Sequence, residues 1–232
     1  MKNKYTITEI KNTFHTEEPW INMFLFSHIT IPLVYLMVNY TKITPNLISI
    51  VSLLFGILSA LCYFNGYLLE GSILYVISYI FDATDGKVAR LKKVGKIYGA
   101  WFDIFVDRIN LTLITTAIAF NVYSQNNSID MLLLNNLFLG LAFIGFESRY
   151  NIDLYKLKNN YQEQNQHKLS KYGNWRKKYN LVKEPISLPE IFLFYMVLSP
   201  LFHIEIFIVS IAILLLILRV LKQQLFWKNN CE

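Results

Sequence analysis

The chain has 232 residues, 54% hydrophobic and only 16% charged, with a formal net charge of +6. A soluble domain carries about a quarter charged residues. Here the apolar residues come in long blocks, which excludes an ordinary soluble domain and points to an all-α integral membrane protein. Cys62, in an apolar run, and Cys231, near the end, have neither disulfide nor metal spacing. Internal repeats and low-complexity tracts are missing, and 9 Gly and 6 Pro leave little material for long linkers, so one domain is expected.

The first twenty residues are polar and mixed in charge, unlike a signal peptide. They lead into "WINMFLFSHITIPLVYLMVNY", Trp20 to Tyr40, which follows the helix-opening signal "TEEP" and contains His28 and Pro32. This stretch is long enough to span, but spanning would carry Lys2, Lys4 and Lys11 to the outside. The preferred reading is an amphipathic helix in the cytoplasmic interface, with a seventh span as the alternative. Residues 1–45 are thus read as a cytoplasmic N-terminus and interfacial helix, and 46–232 as a six-helix membrane domain.

Six spanning segments follow: Asn46 to Phe64, Leu68 to Arg90, Gly99 to Val122, Met131 to Phe146, Leu188 to Phe202, and Ile204 to Leu221. Several lie near or below the ~20 residues that cross a bilayer core. Short turns, "NGYLLEG", "SQNNSID" and "HIE", contain no Lys or Arg and alternate with basic connections. That asymmetry puts both termini and the basic connections on the cytoplasmic side of the cytoplasmic membrane. The connection from Arg149 to Lys183 carries nine basic residues against Asp153 and Glu163. It reads as a topology determinant near anionic lipid, or as a rim that attracts an anionic substrate. The basic balance follows from this topology and implies no nucleic-acid partner.

Between the second and third spans lies "DATDGKVARLKKVGKIYGAWFDIFVD". Asp82, Gly86 and Ala89 recur at helical spacing with Asp85 beside them, and Gly99, Asp103 and Asp107 lie four apart on one stripe. An antiparallel hairpin would bring the stripes together and converge four carboxylates near the cytoplasmic surface. A membrane carboxylate costs ~2.5–3.5 kcal/mol on insertion scales, so something positive must complete the cluster. Oxygen-only ligands favour Mg²⁺, or Mn²⁺, and four can hold two ions suited to phosphoryl chemistry. Gly86, Ala89 and Gly99 leave room for a ligand, while Arg90 and "LKKVGK" supply charge for its phosphates. Proton or cation transport, and simple small-residue helix packing, remain alternative uses of the same residues.

The spacing Asp82-x2-Asp85-Gly86-x2-Ala89-Arg90-x8-Gly99-x3-Asp103-x3-Asp107 fixes eight positions across 26 residues. It resembles the full signature of the CDP-alcohol phosphotransferase (CDP-alcohol phosphatidyltransferase) family. "TPN", Thr44 to Asn46, is a weaker family-like feature. The resemblance implies an interfacial helix, six membrane helices and a homodimer. It also implies that Asp82, Asp85 and Asp103 are metal ligands and that Asp107 is the general base. Gly86 and Ala89, with Gly99 beside them, would line the cytidine-nucleotide pocket, and Arg90 would contact donor phosphate. The expected reaction moves a substituted phosphate from a CDP-linked donor to an alcohol and releases CMP. CDP-diacylglycerol with a small polar alcohol is the expected pair, in phospholipid biosynthesis. The alternatives are a small CDP-alcohol donor with a lipid or glycan acceptor, or a non-enzymatic divalent-cation protein. Arg108, directly after Asp107, resembles inositol- and inositol-phosphate-transferring members. Surplus positive charge makes Arg108 and Arg149 the candidate acceptor contacts, and Glu147, two residues from Arg149, is badly placed to pair with it.

Overall fold

The computed structural model describes residues 4–14, 18–94, 97–159, 175, 179, 181–182 and 186–231. Among them the chain is helical: α1 (Ile7–Lys11), α2 (Asn22–Tyr40, opening with a π-helical turn), α3 (Pro45–Phe64), α4 (Leu68–Lys92), α5 (Ile97–Asn126), α6 (Asp130–Lys158), α7 (Leu188–Phe202) and α8 (Glu205–Cys231). A single parallel bridge joins Glu18 to Leu181. Three of the described helices are long and apolar enough to cross a membrane: α2, α3 and α6. The first of these is the segment read from sequence as interfacial. α7 is a shorter apolar helix, and α4 and α5 carry the charged motif within their lengths.

Local chemistry sets the helix ends. Thr44 caps α3 by accepting from the Leu47 amide, with Pro45 in the first helical position, where its missing N–H costs nothing. Gly66 (φ 83°) turns the chain from α3 into α4, a left-handed conformation that glycine adopts without penalty. Ser187 and Glu190 form a capping box at the start of α7, and Glu190 also accepts from the Ile21 amide at 3.0 Å. α6 outlasts its apolar stretch by twelve residues. Pairs four apart support this polar extension: Asn151 with Glu147 (3.2 Å) and Arg149 with Asp153 (3.1 Å).

α3 shows how the bundle is held. Between the buried Ile48 and Tyr63 its buried stripe is small or polar, with Ser49, Ser52, Gly56, Ser59 and Ala60, whereas Leu47, Ile50, Leu54, Leu58 and Leu61 face outward. This inverts the pattern of a soluble helix. Lipid tails are as apolar as leucine, so close packing and interhelical hydrogen bonds must do the joining. Ser52 and Ser78 exchange hydroxyl-to-carbonyl bonds of 2.9 and 2.8 Å, and Ser59 donates to Gly71 at 2.7 Å. On the α5 side, a Cβ on Gly56 would stand 2.0 Å from the Asn110 side-chain oxygen, so glycine is what admits Asn110.

α7 contains a π-helical turn, Phe194–Leu198, just before Pro200. Proline has no N–H to donate to the Met196 carbonyl one turn back. The fully buried Tyr63 hydroxyl of α3 donates to that carbonyl instead. A backbone acceptor freed inside the bundle is thereby satisfied by a neighbouring helix. The other side of the bundle is conventionally apolar, with Phe138 of α6 edge-on to Tyr195 of α7 at 4.9 Å. The Tyr195 hydroxyl reaches Asn135 at 3.0 Å.

Candidate active site

α4 and α5 carry the eight signature residues. Both pack along α3 rather than tightly against each other, so the expected direct hairpin contact is replaced by a gap. The aspartates reach across that gap. Carboxylate oxygens of Asp82, Asp85 and Asp103 lie within 4.8 Å of one another. Asp82 is within hydrogen-bonding reach of Asp107, and Asp85 of Asp103. The structure therefore brings together all four carboxylates that the sequence singles out.

Two cavities share this cluster in their walls. The larger, about 960 Å³, is walled by Asp85 and Asp103 together with Gly86, Ala89, Arg90 and Gly99. Lys42, Lys92 and Lys93 add positive charge to its rim. The smaller, about 180 Å³, is walled by Asp82, Asp107 and Arg108 with Tyr75, Tyr79, Phe146 and Phe192. The signature thus divides along the helices: Asp85 and Asp103, about one turn nearer the α4–α5 connection, wall the wide basic chamber, and Asp82 and Asp107 the narrow aromatic one.

Sequence reasoning missed several wall residues. Ser49 of α3 donates its hydroxyl hydrogen to the Asp85 carboxylate, fixing that carboxylate from a third helix. Asn46, the last residue of "TPN", lines the wide chamber, and a Cβ on Gly99 would lie 3.3 Å from its side-chain oxygen. Gly99 thus lets α5 come close to the start of α3. The signal for both was their proximity to the cap at Thr44, which sequence alone could not aim at the aspartates.

The two candidate acceptor arginines are placed differently. Arg108 is half-buried, with its guanidinium carbon 3.3 Å from the Phe146 ring centroid and 5.8 Å from that of Phe143. This cation–π stacking holds it at the narrow chamber. Arg149 lines neither cavity; its side chain is 57% exposed and its partner is Asp153.

Three convergent carboxylates suit a hard divalent cation. Oδ1 of Asp82 is also buried without a hydrogen-bond partner, an acceptor that a cation would satisfy. The donor set fits the group that the signature implies.

The chain is similar to several known proteins. The family model for CDP-alcohol phosphatidyltransferase matches residues 42–229. Two bifunctional IPC transferase and DIPP synthase proteins match over shorter stretches. The one from Aquifex aeolicus is 41% identical over 68 residues, and the one from Thermococcus kodakarensis 40% over 67. Each match covers 29% of this chain and 15% of the relative. Among solved structures, Mycobacterium tuberculosis phosphatidylinositol phosphate synthase (PgsA1) with CDP-DAG bound superposes with a TM-score of 0.58 at 17% identity. It covers 84% of this chain and 89% of its own, and so shares the fold. With four aspartates of the expected spacing gathered between two chambers and a family match over most of its length, the chain belongs to the CDP-alcohol phosphatidyltransferase family.

Proposed function

We propose that this protein transfers a phosphatidyl group from CDP-diacylglycerol to the hydroxyl of a small polar alcohol, releasing CMP. The observation that carries the reading is the carboxylate cluster shared by a wide basic chamber and a narrow one. The donor is assigned to the wide chamber. There Gly86, Ala89 and Gly99 leave space for the nucleotide and Arg90 binds a phosphate. The bound CDP-DAG of the mycobacterial structure supports this donor class.

Asp82, Asp85 and Asp103 would hold one or two Mg²⁺ or Mn²⁺ ions, whose charge offsets that of the donor pyrophosphate. Asp107 acts from the narrow chamber. Its carboxylate takes the proton of the acceptor hydroxyl as that oxygen bonds to the phosphorus distal to cytidine. The bond from that phosphorus to the bridging oxygen breaks, and CMP leaves with the electron pair. Arg108, stacked on Phe146, binds an anionic group or several hydroxyls of the acceptor. Ser49 keeps the Asp85 carboxylate aimed at the gap.

The positive-inside pattern supports six spans with the site and both termini on the cytosolic side, where a nucleotide-linked donor is supplied. The test is CMP release by purified protein given CDP-diacylglycerol, Mg²⁺ and a panel of polyols and polyol phosphates. Turnover with one acceptor and none with excess chelator is the expected result. Turnover only with a small CDP-alcohol and a lipid acceptor would reverse the donor assignment. Failure to release CMP with any pair would remove the reading.

A further inference from the structure

The segment before α2 makes contacts out of proportion to its length. Asn39 clasps the backbone of Tyr5 at both ends, accepting from its amide at 2.8 Å and donating to its carbonyl at 3.1 Å. Thr6 and Glu9 close a capping box that starts α1, and those hydrogen bonds hold the Glu9 carboxyl below its ordinary range. Ile10 is fully buried in a small core with Val34, Met37, Ile48 and Val88, so α1 is fastened to α2, α3 and α4 together. The segment then ends on the signature helix. The Thr13 carbonyl accepts from Arg90 Nε at 2.7 Å, and Phe14 lies under the buried Lys87 ammonium at 4.5 Å.

We propose that residues 4–14 are a strap that positions Arg90 for the donor phosphate. A guanidinium on a flexible stem loses rotamer freedom when it binds an anion, and one already held at Nε has less to lose. The strap's bond turns the far edge of the guanidinium toward the chamber wall, where Nη1 would lie 3.4 Å from a Cβ on Gly86. The strap lies outside the family match, which begins at residue 42. The inference rests on the reading of Arg90 as a donor contact.

Equilibrium binding of CDP in the presence of Mg²⁺, by calorimetry on the full-length protein in detergent, tests it without turnover. Asn39→Ala releases the Tyr5 clasp, and Ile10→Ala loosens the buried anchor. Each is expected to weaken CDP binding by about 10-fold, the scale of loss when a charged hydrogen-bonding group is misplaced. In an Arg90→Ala background the same changes should add less than about twofold, because the group they position is gone. A structural effect would instead multiply with the loss from Arg90→Ala. Multiplying losses, or strap variants that bind CDP as wild type does while Arg90→Ala does not, would overturn the strap. Wild-type binding by Arg90→Ala would overturn the donor reading of Arg90, and with it the strap's purpose.

Discussion

The two chambers flanking the aspartates differ in nearly every physical respect. One is about 960 Å³, with four cationic side chains, Lys42, Arg90, Lys92 and Lys93, in its wall. The other is about 180 Å³, ringed by aromatic residues, with Arg108 as the cation in its wall. A wide basic space suits a diphosphate with a nucleoside attached. A narrow aromatic one suits a small molecule whose proton is to be removed away from water. One set of carboxylates can serve both because Asp85 and Asp103 lie about one turn nearer the α4–α5 connection than Asp82 and Asp107. The lesson is that four similar residues acquire different work from what surrounds them.

The largest expected effects separate the three proposed metal ligands from the proposed base. Asp82→Asn, Asp85→Asn and Asp103→Asn each remove a proposed anionic ligand, and turnover should fall by about 10³-fold or more with weakened metal dependence. Asp107→Asn should lose ~10²–10⁴-fold in turnover yet still bind CDP with Mg²⁺. Calorimetric CDP titrations separate the two classes. Loss of CDP binding in Asp107→Asn equal to that in Asp82→Asn would merge the chambers into one site.

Next in size is the join between α3 and α5, which sets the gap the chambers occupy. Gly56→Ala pushes a methyl group to 2.0 Å from the Asn110 oxygen, and overpacking of this kind costs about 1–3 kcal/mol. Asn110→Ala in the same chain should restore much of the loss in a thermal-shift measurement. No recovery would mean that the notch does not govern helix spacing. Tyr63→Phe should cost about 1–3 kcal/mol by orphaning the Met196 carbonyl beside Pro200. Activity in the surviving protein should be normal, since Tyr63 lies in neither chamber wall.

Much of this was legible in the chain. The helix starts fall within two residues of those read from the hydropathy blocks, because capping residues and turn glycines mark them locally. The four aspartates were legible because their spacing repeats with the helix. What escaped was everything set by a third element. Ser49 reads as one more small residue of a packing stripe until α4 is laid against it. The gap between α4 and α5 depends on both packing along α3, which no periodicity records. Thr13 contributes a backbone carbonyl, which every residue has, so its bond to Arg90 leaves no mark in the sequence. The case for Arg149 as an acceptor contact used the poor geometry of Glu147, and the partner it found was Asp153, one turn further along.

The smallest effect marks where the narrow chamber stops. Arg108 and Arg149 were candidates on the same charge argument, but only Arg108 meets the wall that holds Asp107. Arg108→Ala should therefore raise the acceptor KM several-fold, on the order of the 1.5–3 kcal/mol of a charged hydrogen bond, and leave the donor KM nearly unchanged. The Arg149–Asp153 pair is solvent-exposed on both sides, and such pairs contribute ~0–1 kcal/mol. Arg149→Ala should accordingly leave both KM values at wild type and move the melting temperature little. Steady-state kinetics on the two variants, with the acceptor concentration varied at saturating donor, decides between them. Equal rises in acceptor KM would extend the acceptor site outward along α6 to the exposed turn at Arg149. In that case the aromatic wall would no longer bound the chamber.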